Sequence, residues 1–290
     1  MNQCCTSFNR LLLLAACIMI PVAASAAELT ENYGTIGGSG GTERPGAVVW
    51  MDLLTGDIDR AAGFYEDVFG WDFRFSGDRS YAYATVKGSP VAALATYDKE
   101  IGDADSLWIP SLSVSDVNKA MTMAKTQGGS VISPPEDLAG RGRYVLIEDA
   151  TGAAVMLLRG ENGDPARTEA SNQWLWAELW TDDVDQSTQF YEKVIGYGTV
   201  AAKDAEGQTF MIMGRDQEPH VSVVETPLPD VDPTWLAYLM VENVVATVRA
   251  VEKAGGTVLL APQKDGFNDN VAIVSDPTGG VFALQQKEAR

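Results

Sequence analysis

Histidine is the scarcest chemical resource of this chain: among 290 residues there is one, His220, with only three cysteines beside it. An active centre built on paired imidazoles or a His-rich metal cage is therefore ruled out by count, and a Cys/His couple is all but ruled out. Basic side chains are few as well. Lys and Arg number 21 against 40 Asp and Glu, a net charge of −19. That balance argues against nucleic acid, whose phosphates need a Lys/Arg stripe, and against anionic membrane surfaces. What remains is a composition able to fold, with 46% hydrophobic and 21% charged residues, enough for one or two ordinary cores.

Residues 1–26 read as a targeting segment: Arg10, the apolar run Leu11 to Ile20, then Pro21 and small residues ending at Ala26, where cleavage is expected. The run is too short to cross a bilayer core of ~30 Å, so stable membrane insertion is not expected after its removal. An alternative is a lipoprotein signal, with Leu14-Ala15-Ala16 preceding a lipidated Cys17. Against it, the apolar run continues past Cys17 through Ile20. Cleavage removes Cys4, Cys5 and Cys17 and leaves a cysteine-free chain with 20 basic and 40 acidic residues. Such a chain has no disulfide or thiol chemistry and suits the periplasm or the exterior, where a stray thiol is a hazard.

Residues 27–46 read as a flexible tether rich in Gly. Beyond it the chain repeats. Trp50, Leu53, Asp57, Asp59, Phe64, Tyr65, Glu66, Val68 and Gly70 recur 126 residues later as Trp176, Leu179, Asp183, Asp185, Phe190, Tyr191, Glu192, Val194 and Gly196. At an offset of 127, Trp108, Gly128, Gly129, Pro135, Asp149, Thr151 and Gly152 recur as Trp235, Gly255, Gly256, Pro262, Asp276, Thr278 and Gly279. The expected organisation is a first domain at 47–160, a linker at 161–172 and a second domain at 173–288.

Each copy has an inner rhythm. A β-branched run at 48–55 precedes Asp57, a plausible helix N-cap, a helix over 58–69 and Gly70 as its stop. Short strands follow at 80–86 and 91–96. The order restarts at Trp108, with Asp116 as cap, Val117, Ala120, Met121 and Ala124 as a helical stripe, and further strands ending at 154–158. This predicts an α+β fold of four βαβββ units, two per copy, whose free sheet faces can enclose a cleft.

The first-strand pattern Trp50 to Thr55, the run Asp57-Ile58-Asp59-Arg60 with Phe64-Tyr65 and Gly70-Trp71, and the closing turns 149–152 and 276–279 resemble the vicinal oxygen chelate superfamily. This is the glyoxalase, bleomycin-resistance and extradiol-dioxygenase group, here as two tandem domains. The resemblance implies a divalent metal held by His and Glu at set strand positions. Those positions fall here on Trp50, Ile109 and Met156 in the first copy and on Trp176, Leu236 and Ala283 in the second. None of the six suits a hard divalent cation, so neither a metal nor another cofactor is expected. His220 reads as a strand-edge or surface residue, and Glu225 as a solvated strand-end carboxylate.

The remaining candidates are few. Strand alternation puts Asp52 on one face with Trp50, and Glu178 on one face with Trp176. An acid in an apolar cleft could act as a general acid or base, or could simply pair with an Arg. Trp50 and Trp176 could form flat ligand surfaces, whereas Trp108 and Trp235 fit a packing role better. Ser111 and Tyr238 occupy equivalent places and would make the two clefts differ. Tyr81 and Tyr83 are expected toward the first cleft, with Ala82 and Ala84 toward the helix. Arg143 could meet an anionic ligand or pair with Asp52, and Met156 lines the same cleft. The leading expectation is an exported protein that binds a small, mainly apolar molecule without metal. The alternative is a lyase or isomerase with an Asp or Glu base and, at most, a weakly held metal. The oligomeric state is left open.

Overall fold

In a computed structural model the described residues are 41–97, 106–165, 170–203, 207–228, 231–263 and 270–287. The targeting segment, residues 27–40 of the tether and residue 288 lie outside them. Four helices are described: α1 (Ile58–Phe69), α2 (Val117–Thr126), α3 (Val184–Val194) and α4 (Val244–Lys253). Each starts at a polar cap, Asp57, Asp116, Asp183 and Asn243 in turn, whose side chain accepts a hydrogen bond from the backbone amide of Arg60, Lys119, Gln186 and Ala246 respectively. Gly70 closes α1 in the left-handed region, at φ 65°.

Sixteen strands, β1 to β16 in chain order, make two eight-stranded sheets. In the first, β1 (Val48–Thr55) runs parallel to β4 (Ser89–Thr96) and antiparallel to β5 (Leu107–Ser113), which is itself parallel to β8 (Ala154–Gly160). Strands β2 (Asp72–Phe75) and β3 (Tyr81–Val86) complete one end, β7 (Gly142–Glu148) and β6 (Ser130–Leu138) the other. The second sheet repeats this order around β9 (Trp174–Thr181), β12 (Glu218–Glu225), β13 (Thr234–Val241), β15 (Val271–Ser275) and β16 (Val281–Gln286). The two units of a copy therefore pair with each other through β1–β5 and β9–β13. No strand is exchanged between the copies in these sheets.

Side chains alternate as a strand requires. Met51 and Leu53 turn to the helices, while Trp50 and Leu54 turn to the opposite, concave face. The helix-side core is shared by both copies, with Phe64, Tyr65, Trp71 and Trp108 of the first packed with Trp174 and Phe282 of the second. Trp108 and Trp235 are core residues here, as their apolar surroundings suggested.

The closing turns join the copies reciprocally. Asp276 accepts from the Thr278 and Gly280 amides and the Thr278 hydroxyl, and its other oxygen accepts from Tyr65 OH in α1 at 2.8 Å. Asp149 does the same with Thr151, Gly152 and Ala153, and takes the hydroxyl of Tyr191 in α3 at 2.9 Å. Close approach explains two glycines nearby. A Cβ at Gly129 would lie 2.7 Å from the Glu148 carbonyl and 2.9 Å from the Phe190 ring, and one at Gly256 would lie 2.6 Å from the Ser275 carbonyl and 2.9 Å from Phe64. Repeated residues that read as a family signature thus fasten one copy to the other.

Residues 41–46 are pinned in place: the Arg44 amide donates to Asp164 at 2.6 Å, and Asp164 donates its own amide to Thr42. This end of the expected tether is part of the fold.

Candidate functional site

The two concave faces differ. In the first copy the face is closed by its own side chains. Asp52, buried on β1, accepts two hydrogen bonds from the Arg141 guanidinium, one from Nη1 at 2.7 Å and one from Nη2, and a third at 3.3 Å from Trp50 Nε1. The same guanidinium reaches Ser111 Oγ at 3.2 Å and Met156 Sδ at 3.3 Å, and lies 5.6 Å from the Trp50 ring and 5.9 Å from that of Tyr144. Trp50 stacks on Tyr83 with ring centroids 5.5 Å apart. Burial works against the charged guanidinium, and the Asp52 charge and hydrogen bonds outweigh it, so Arg141 holds its proton more firmly than a free arginine. Burial pushes the Tyr83 hydroxyl up to about 12, against the pull of Arg141, and raises that of Tyr81 in the same way.

Arg143, the basic residue singled out beside Asp52 in the sequence, is not its partner. Leu146 pairs with Met156 across β7 and β8, so even-numbered residues of β7 face the cleft and Arg143 faces the helices. There, half-buried, it meets the exposed Asp137 at 2.6 Å and Asn118 of α2 at 3.3 Å. The signal that was missed is the pair of glycines around Arg141. Gly142, at φ 119°, would place a Cβ 2.1 Å from the Arg159 carbonyl, so only glycine fits the turn that sends Arg141 inward.

In the second copy the equivalent face is half-open. Trp176, Glu178 and Tyr238 are each half-buried, while Trp180 is buried beside them. Glu178 Oε1 accepts from Trp180 Nε1 at 3.0 Å and Tyr238 OH at 3.1 Å, and Oε2 accepts from Ser222 Oγ at 2.8 Å. Trp176 Nε1 donates to that same serine at 2.9 Å. All of these donors are uncharged. Burial first, then the Glu178 charge, raises the Tyr238 hydroxyl well above its ordinary value, so it remains a donor.

Matching the registers shows what changed between copies. Ala93 opposite Asp52 becomes Ser222 opposite Glu178, Ser111 becomes Tyr238, and Met156 becomes Ala283. Tyr81 and Tyr83, which lie on the cleft face while Ala82 and Ala84 face the helix, correspond to Phe210 and Ile212 of β11 (Thr209–Arg215), both half-buried. Arg141 corresponds to Asn268 at the 127-residue offset.

His220 lies on β12 and lines a cavity of about 120 Å³ between β1 and β9, together with Arg44, Trp50, Trp174 and Trp176. Its ring is 6.2 Å from that of Tyr197. Glu225 ends β12, exposed. The family's metal finds no donor set: the six strand positions carry Trp, Ile, Met, Trp, Leu and Ala, and no group of three or more His, Cys, Asp or Glu converges among the described residues. These residues do not fit a divalent metal.

Two tandem domains of this topology, each with a concave face framed by paired βαβββ units, define a glyoxalase-type protein, and the sequence agrees. The profile of the Glyoxalase/Bleomycin resistance protein/Dioxygenase superfamily matches residues 47–157 and 173–284, and the chain belongs to that family. It is 31% identical over 247 residues to CFP32 of Mycobacterium tuberculosis, whose name carries a provisional glyoxylase assignment, covering 83% of this chain and 95% of that one. It is 28% identical over 257 residues to the anthracycline biosynthesis protein DauV of Streptomyces sp., covering 83% and 93%. Among solved structures, the Mn(II)-bound glyoxalase of Novosphingobium aromaticivorans superposes with a TM-score of 0.59 at 15% identity, over 84% of this chain and 82% of that one. At that identity the likeness speaks for the fold alone.

Proposed function

We propose that the protein is an exported small-molecule-binding member of the family, and that its working cleft is the concave face of the second copy. The observation that carries this reading is the contrast between the copies: Arg141 fills the first cleft, whereas Trp176, Phe210, Ile212 and Tyr238 leave an apolar, half-open surface around Glu178. Flat aromatic walls with one oriented acceptor suit a compact, planar, mainly apolar molecule. The name of the Streptomyces relative is in keeping with this, since anthracyclines are flat polycyclic aromatics. Metal-free binding is in keeping with the described residues, among which no set of three or more His, Cys, Asp or Glu converges. Export rests on residues 1–26, and the mass of protein recovered from the periplasm should correspond to a chain that begins at Ala27.

Titration with a panel of uncharged two- and three-ring aromatics, followed by tryptophan fluorescence, tests the cleft. At least one should bind, its affinity should fall about tenfold or more in Trp176→Leu, a loss of ~1.4 kcal/mol or more, and it should be unaffected by Trp50→Phe or by a chelator. Equal loss in both variants, or dependence on added metal, would overturn the reading.

One feature supports a catalytic variant of the same site. Among the described residues Glu178 Oε2 accepts one hydrogen bond, from Ser222, and a carboxylate oxygen has capacity for another. A metal-free lyase or isomerase would use it as base, and Glu178→Gln would then abolish turnover of the molecule that binds.

A further inference from the structure

The first copy carries its own ligand. Its cleft holds a carboxylate on the first strand, an indole two residues before it that donates to that carboxylate, and a planar cation bonded to the carboxylate and 5.6 Å from the indole; the cation is the chain's own Arg141. The second copy repeats the carboxylate as Glu178 and the indole as Trp176, but Asn268 stands at the aligned position of the arginine. Where Asp52 has a guanidinium, the donors to Glu178 among the described residues are hydroxyls and an indole. A half-buried carboxylate beside aromatic faces is the arrangement that recognises an organic cation, through a charge-assisted hydrogen bond and a cation–π contact. From this internal comparison we infer that the ligand of the second cleft is a planar aromatic molecule bearing a protonated amidine, guanidine or amine, its cationic group on Glu178 in the place Arg141 takes on Asp52. The inference rests on the proposed role of that cleft and adds the charge of its ligand. A net charge of −19 favours the encounter with such a cation.

Two probes of nearly equal shape decide it: 2-naphthamidine, cationic at neutral pH, and 2-naphthamide, uncharged. With the mature protein at moderate salt, calorimetry should find the amidine bound about tenfold or more tightly than the amide. Glu178→Gln should shrink that ratio to about twofold or less. Removal of an exposed charge on α4, Glu252→Gln, should leave the ratio intact. Equal affinity of the two probes in the natural protein overturns the inference while the cleft stands. Equal effects of the two glutamate variants also overturn it, by reducing the preference to overall charge. Binding of neither probe, or affinities unmoved by Trp176→Leu, removes the cleft reading itself and the inference with it.

Discussion

Arg141→Ala should cost the fold about 3–5 kcal/mol, because it leaves the Asp52 carboxylate buried without its cation. Both side chains of the pair are nearly inaccessible, at 5% and 7%, so water cannot take over the lost contacts. The loss belongs to the orphaned charge and not to the value of the pair. Hence the double variant Asp52→Leu with Arg141→Met, which replaces the pair by apolar volume among Trp50, Tyr83, Ile109 and Met156, should recover most of the stability. Urea denaturation of the three proteins measures this. Methylguanidinium at millimolar concentration should also raise the midpoint of Arg141→Ala and not that of the natural protein, since it binds only where a site has been vacated. A single variant that costs under about 1 kcal/mol would mean that the pair is not buried as described.

The second large effect is expected at the turns that fasten the copies. Asp276→Ala strips the acceptor from two amides, the Thr278 hydroxyl and Tyr65 OH, the last of which also receives the Trp108 indole at 2.8 Å. A loss of about 3 kcal/mol is expected for this variant, and a similar loss for Asp149→Ala, from buried donors left without partners. The pH dependence has a definite sign. Burial is the leading influence on both carboxyls and holds them above the ordinary value, against the pull of the threonine and tyrosine donors. As pH falls from neutral, the folded state takes up these protons before the unfolded state does. Their contribution to stability therefore rises through the window between the raised native value and the unfolded one of about 3.9. In Asp149→Asn and Asp276→Asn that rise should be missing from denaturation midpoints measured stepwise between pH 7 and 4.

Much of the fold was legible because it is written twice. The repeat pointed to two tandem domains, the caps Asp57 and Asp116 marked helix starts, and alternation put Tyr81 and Tyr83 on the face opposite the helices. Partner choice was less legible. The sequence pointed to Arg143 as a mate for Asp52 and not to Arg141, because a count along β7 does not show that Arg143 faces α2 while Arg141, in the turn before the strand, is sent inward between Gly140 and Gly142. The cross-copy role of Asp149 and Asp276 was hidden for a related reason: each turn satisfies a tyrosine in the other copy, and a pattern read along one copy has no access to that pairing. Asp52 and Glu178 looked interchangeable in sequence, and only their surroundings, one guanidinium against three uncharged donors, set them apart.

That difference between the two clefts is the centre of the account, and the seven tryptophans report on it directly. In a spectrum of the ¹⁵N-labelled indoles, assigned by single Trp→Phe variants, addition of 2-naphthamide should shift the Trp176 and Trp180 signals and leave Trp50, hydrogen-bonded to Asp52 beside Arg141, in place. A shift of Trp50 with Trp176 and Trp180 unmoved would contradict it.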